Sequence, residues 1–231
     1  MDAEYEAEKQ NAVTVTFQDI VKNKEIKTYL EMGDKYLGTL GLTNHSLLHA
    51  QRAAKVAHDI LTALHFDKRT AELARIAGYI HDIGNVVNRI DHAQSSAVIA
   101  FQILTRMGME PREIAKVIAA IGNHDEGTGT PVNQVAAALI LADKSDVRRS
   151  RVRNRDRSAF DIHDRVNYAV TQSDIAVCND KVIRLKLTID NEICSVMDYF
   201  EIFLTRMAMC KRAADFLGTG FELFINETKL A

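Results

Sequence analysis

Residues 77–87, AGYIHDIGNVV, set a histidine and an aspartate at the end of an otherwise apolar run. Upstream, Leu73, Ile76, Ala77 and Ile80 recur at the three- and four-residue spacing of one helix face. Position 81 falls one turn beyond Ala77, which directs His81 toward the interior. A buried ionisable pair needs a partner or a metal. The helix is predicted from about Lys68 to Ile83, with Gly84 as its terminal residue.

The same periodicity extends outward. A preceding helix is expected to open at Asn44, a good cap, and to carry Ala50, Ala53, Ala57, Ile60 and Leu64 on one face until HFDKR breaks it. Further helices are predicted near residues 92–108, 111–123 and 132–147, separated by MGMEP and the glycine-rich DEGTGTP. Only two prolines, Pro111 and Pro131, interrupt the chain. Beyond residue 158 the pattern changes: in KVIRLKLTID the apolar Ile183, Leu185, Leu187 and Ile189 alternate with polar residues, the period of a half-buried strand. A helix over 193–217, ended by GTG, and a short strand at FELFI follow. The expected fold class is mainly α: an N-terminal helical extension (1–43), a helical bundle (44–158), and a C-terminal helix plus strand-helix-strand unit (159–231) that packs on the bundle or serves a homodimer.

Composition narrows the setting. With 231 residues, 47% of them hydrophobic, the chain can bury one good core and an appendage. The net charge of −2 does not select a partner. Three cysteines without a CxxC pair disfavour a disulfide framework or a thiolate zinc site. The acidic start MDAEYEAEKQ is unlike a signal peptide, and no apolar run approaches the roughly 20 residues of a membrane span. A cytoplasmic protein with no membrane partner is expected.

Other ligand-type residues lie beside the core-facing stripes. His49 lies on a stripe with Ala53, Val56 and Ile60; His124 follows Val117 and Ile121; Asp143 is one turn after Leu139; His92 opens a helix. Helical bundles build metal sites from side chains on facing helices in this way. Nitrogen and carboxylate donors without cysteine suit Fe, Mn, Co, Ni or Zn, one or two ions. Taken singly, each histidine is as readily a structural residue, and the HD pair recurs at His58-Asp59 and His124-Asp125. His45 is placed at a pocket mouth or on the surface, His58 is read as structural, and His65 and His163 as exposed.

Order and context go further. The phrases HSLLHAQRAAKVA, AGYIHDIGN, DHAQSSAVIAFQIL, AAIGNHDE and ALILADKSD, across residues 44–147, resemble the HD-domain superfamily of metal-dependent phosphohydrolases. The resemblance implies an HD-type bundle in which His49, His81, Asp82 and Asp143 hold one metal, with Asp82 bridging to a second held by His92 and His124. It also implies a phosphohydrolase acting on a nucleotide or other small phosphate ester, a metal-bound water losing its proton to attack phosphorus. Departures matter: Asn85 follows HDIG where the cyclic-dinucleotide subgroup has lysine, there is no GYP, and His124 is followed by Asp125 and Glu126. Cleavage of cyclic dinucleotides is therefore disfavoured.

Phosphate chemistry also needs cations, and DKSDVRRSRVRNRDR follows Asp143 directly. Lys144, Arg148 and Arg149 are expected to face the pocket, and Arg151, Arg153, Arg155 and Arg157 to form a solvated basic segment. Asp146 is a candidate acid behind the ligands or a general acid/base, so Asp82, Lys144 and Asp146 form the expected catalytic group. The residues of MDYFEIFLTRMAMC are assigned to packing. Competing functions are an HD-type di-iron oxygenase, a nucleotide-binding regulatory module, and nucleic-acid binding through RRSRVRNRDR, which ranks last because no aromatic residues interleave the arginines.

Overall fold

The computed structural model describes residues 14–154, 156–179 and 181–231. Residues 1–13 of the expected N-terminal extension lie outside the described residues, as does Arg155. The chain is a mainly helical bundle with a small C-terminal α+β unit. A reciprocal cap between Thr16 and Asp19 starts α1 (Phe17–Lys22), and Asn23 then caps α2 (Lys24–Thr39) with its side chain.

Helix α3 (Leu47–Ala63) begins later than the sequence suggests. Ser46 is its N-cap residue, while the Asn44 side chain accepts from Ser46 N, a local turn that competes with helix entry. Asp67 caps α4 (Lys68–Ile80). The two helices pack closely because their shared faces carry small residues: a Cβ on Gly78 would lie 2.8 Å from the Ala53 carbonyl. The predicted end at Gly84 is corrected: α4 stops at Ile80, His81 closes it, and a 3-10 turn spans Ile83–Val86.

Gly84 has a different task. A Cβ there would sit 2.4 Å from both His92 O and Ser96 N, so its absence lets the start of α5 (His92–Arg106) reach the backbone beyond His81. The Gly84 amide donates to Ser96 Oγ at 2.7 Å and locks this approach. Next come α6 (Pro111–Gly122) and α7 (Gln134–Lys144). Helix α7 is buried from Val135 to Lys144 because it lies between two cores. Its Ala136, Ala138, Leu139 and Ala142 belong to the bundle core, and its Ala137, Ile140 and Leu141 to the C-terminal one.

The second core is built by α8 (Ile162–Ala169), a sheet and α9 (Val196–Phe216). Strands β1 (Val170–Cys178) and β2 (Val182–Ile189) form an antiparallel hairpin. After α9, β3 (Gly220–Ile225) pairs parallel to β2, and β4 (Thr228–Lys229) pairs antiparallel to β3. Strand β1 adds to the expected strand-helix-strand unit; its polar start TQSD hides the alternation that marks β2. Among the described residues no helix is long and apolar enough to cross a membrane.

Replacing Gly84 by alanine would force backbone apart, since both nearest atoms belong to the main chain or its first hydrogen bond. Overpacking of this kind costs about 1–3 kcal/mol. The midpoint of thermal unfolding should fall by roughly 3–10 °C; an unchanged midpoint would show that the contact is easily relaxed.

Candidate metal centre

Six side chains converge where α3, α4, α5 and α7 meet the loop after α6. His49 comes from α3, His81 and Asp82 from the end of α4, His92 from the start of α5 and Asp143 from the end of α7; all are buried. His124 does not lie on α6, as the spacing suggested. That helix stops at Gly122, and His124 is carried by the turn beyond it, still buried.

The ring orientations are fixed from behind. His49 Nδ1 donates to Asp146 Oδ2 (2.7 Å), His81 Nδ1 to Gly78 O (2.9 Å), His92 Nδ1 to Arg89 O (3.0 Å) and His124 Nδ1 to Ile121 O (2.6 Å). Every one of these partners can only accept, because Asp146 is held ionised by its His49 and arginine partners against the opposing effect of burial. Each Nδ1 therefore carries its proton, and each Nε2 is turned to the centre, where it can offer a lone pair to a cation. This is how metal-ligating histidines are held.

The Nε2 atoms and carboxylate oxygens form overlapping groups: His81, His124 and Asp143 make one, and two others meet at Asp82. In the first of the two at Asp82, His49 Nε2 is 3.2 Å from His81 Nε2, 3.6 Å from Asp82 Oδ2 and 3.4 Å from Asp143 Oδ1; His81 Nε2 is 3.3 and 3.6 Å from the same two oxygens. Cis ligands about 2.1 Å from one cation lie about 3.0–3.4 Å apart, close to these separations. In the second, Asp82 Oδ1 lies 3.4 Å from His92 Nε2 and 3.9 Å from His124 Nε2, and the two Nε2 atoms are 3.2 Å apart. Asp82 thus faces one group with Oδ2 and the other with Oδ1.

Charge makes the same case for cations. Burial alone would push the His81 imidazole down, but the Asp82 and Asp143 carboxylates overrule it and hold it up at about 10. A proton on His81 then stands where a cation would serve the same carboxylates. His124 is pushed down to about 3 by burial, helped by His81 and Lys144, and burial also lowers His92. The neutral pair His92 and His124 therefore points two lone pairs at each other across 3.2 Å. The donor set fits divalent metal cations.

Residues behind the ligands fix the carboxylates and imidazoles. Lys144 is buried, with Nζ 2.7 Å from Asp143 Oδ2, leaving Oδ1 for the centre. Asp146 is fully buried; it takes His49 on one oxygen, while Arg52 Nε and Arg148 Nε lie 3.0 and 2.5 Å from the other. Of the two roles expected for Asp146, an acid behind the ligands or a general acid/base, this geometry agrees with the first: its carboxylate has no access to solvent and both oxygens are engaged. Lys144 stands in the same relation to Asp143.

A cavity of about 270 Å³ opens beside the centre, with Arg89, Arg151 and Arg206 and the acids Glu126, Asp161 and Asp164 in its wall. Arg89 Nη1 is 3.8 Å from Asp82 Oδ1. The expectation that Arg148 and Arg149 face this pocket is corrected: both line a separate groove with Arg52 and Thr171. Arg148 is held by Asp146, whereas Arg149 donates to Tyr168 O and stacks on the Tyr168 ring at 4.5 Å. Nor is the rest of the tract simply solvated. Buried Arg151 donates to Asn44 O and Asp146 O, and Arg153 ties Leu42 O to the Asp34 side chain. Arg89 and Arg206 were not singled out in the sequence; a lone cation inside the apolar IFLTRMAMC was the available signal for Arg206.

His45 reaches the cavity wall, its Nδ1 donating to Thr43 O at 2.7 Å. His58 is partly exposed beside Asp59, and His65 and His163 are exposed.

The HD domain family model matches residues 42–164, more than half of the chain. A Methanocaldococcus jannaschii protein, uncharacterized protein MJ1020, is 26% identical over 218 residues, covering 83% of each chain.

Two outcomes test the centre. Asp146→Asn should weaken metal binding about 10–100-fold in competition with a chromophoric chelator; unchanged affinity would remove Asp146 from the site. The second concerns pH: His81 is raised from 6.5 to about 10 in the folded chain. Its contribution to stability is therefore complete below pH ~6.5 and lost as pH rises toward ~10. Thermal unfolding of the metal-stripped protein should show this decline, and metal should flatten it by replacing the proton. A flat apo profile over that range would contradict the assignment.

Proposed function

The chain belongs to the HD-domain family, and on that premise we propose that it is a metal-dependent phosphohydrolase, cleaving a phosphoester or phosphoanhydride bond of a nucleotide or other small phosphate ester. The observation that carries this reading is the pair of donor groups that meet at Asp82 beside a cavity to which Arg89 and Arg206 contribute. Bound divalent cations would supply an acidified water and neutralise the phosphoryl oxygens.

The residues of the chain have distinct tasks in this scheme. Asp82 holds both donor groups in register, since one carboxylate serves both. Asp146 keeps His49 in the tautomer that offers Nε2, and Lys144 keeps Asp143 turned inward by Oδ1. Arg89, within reach of Asp82, brings a permanent charge and a planar fork to phosphoryl oxygens at the metal end of the cavity. His45 is held neutral, chiefly by burial and then by Arg151, so its free Nε2 accepts rather than donates hydrogen bonds there.

The test is phosphate release from a panel of nucleotides and simple phosphate esters, with the protein reconstituted separately with Mn²⁺, Co²⁺ and Fe²⁺. Release by wild type, with Asp82→Ala lowering kcat by at least about a thousandfold while helical content persists, is the expected result. Metal-replete wild type that releases no phosphate, or an Asp82→Ala variant with full activity, would contradict the proposal. An oxygen-sensitive iron spectrum without phosphate release would favour oxygenase chemistry instead.

A further inference from the structure

Arg206 lies on α9, beyond residues 42–164 that match the family, yet its side chain lines the cavity beside the metal donors. Two neighbours place it. The guanidinium carbon sits 4.5 Å above the centre of the Phe203 ring, one turn earlier on the same helix, and Nε lies 2.5 Å from Glu126 Oε1. The side chain nevertheless remains 22% exposed. Stacking on Phe203 and charge attraction to Glu126, whose Oε1 accepts no hydrogen bond, place the guanidinium at the cavity wall, where its outer edge can meet an anion.

Glu126 is the second half of the device. The same Oε1 atom lies 3.3 Å from Lys144 Nζ, and Lys144 Nζ is 2.7 Å from Asp143 Oδ2. An unbroken line of alternating charge therefore runs from Arg206 to a proposed metal ligand. The four charges balance, two cations against two acids, with Lys144 shared between Asp143 and Glu126. Arg206 therefore offers the cavity the outer edge of its fork, beside Arg89 and in a wall that also carries the acids Asp161 and Asp164.

We infer that Arg206 is the residue through which the C-terminal unit binds the anionic group of the substrate, a phosphoryl group whose oxygens take the outer edge of the guanidinium. The inference rests on reading this cavity as a site for phosphate esters, and it assigns to α9 a binding role that residues 44–158 alone do not supply. The C-terminal unit is then part of the site: its presence sets which phosphorylated compounds are held. Lys144 and Glu126 are positioning residues in this arrangement, and Arg206 touches the ligand.

The probe is inorganic phosphate, titrated calorimetrically into the full-length, Mn²⁺-loaded protein. Arg206→Met should weaken phosphate binding at least tenfold, with metal stoichiometry unchanged. Arg206→Lys should fall between, because it keeps the charge and loses the fork. Glu126→Gln, which removes the competing acid and keeps a hydrogen-bonding side chain, should bind phosphate at least as tightly as wild type. Wild type that does not bind phosphate, or Arg206→Met that binds it like wild type, would overturn the inference. So would a Glu126→Gln loss as large as that of Arg206→Met, since the ion pair and not the outer edge of Arg206 would then govern binding. Because affinity is read without turnover, Arg206-dependent phosphate binding in a protein that hydrolyses no nucleotide would keep this assignment and discard the hydrolase reading.

Discussion

Four imidazoles and two carboxylates are buried together, and the helices can only close over them if their charges and lone pairs are matched. Ionised groups in a dry interior cost several kcal/mol each unless compensated. The backbone solves half of this by accepting from three of the Nδ1 atoms through Gly78, Arg89 and Ile121, and Asp146 accepts from the fourth. Once every Nδ1 is committed, every Nε2 is turned inward, and positive charge, a proton on His81 or a metal cation in its place, is what matches the acceptors gathered there. The close approaches at Gly78 and Gly84 follow from the same demand, because donors on different helices must come within a few ångströms.

The C-terminal unit is bound into this arrangement by two routes. On one side Ser173 of β1 donates through Oγ to Ser145 O, and Arg52 bridges the Ser173 carbonyl to Asp146, which holds His49. On the other, Arg206 of α9 reaches Glu126, Lys144 and then Asp143. Helix α7 supplies the mechanical link, since it contributes to both cores and ends in Asp143 and Lys144. A helix without a solvent face can carry charge only at its end, and there each charge meets a partner.

The order of ligand-type residues was legible because each sits on or beside an apolar stripe whose period points it inward. His49, His81, Asp82, His92, His124 and Asp143 were named from that pattern together with the resemblance, and the structure brings their donor atoms together. The cations were not legible in the same way. Proximity in sequence pointed to Arg148 and Arg149, but local geometry gives the first to Asp146 and the second to Tyr168. Of the arginines of the cavity wall, Arg151 does belong to the tract after Asp143, but Arg89 comes from a loop before α5 and Arg206 from α9, where no local signal tells a cavity-lining arginine from a surface one. Strand β1 was missed for a related reason: its alternation is masked by polar residues that acquire partners only in the folded chain, as Ser173 does.

The most direct test is elemental mass spectrometry of the purified full-length protein, before and after chelation and reconstitution. One to two equivalents of a divalent transition metal, lost on chelation and restored on reconstitution, is the result expected if the inward lone pairs exist to hold cations. A protein that is folded and metal-free, and that takes up no metal when it is offered, would mean that the histidine cluster is held by protons alone.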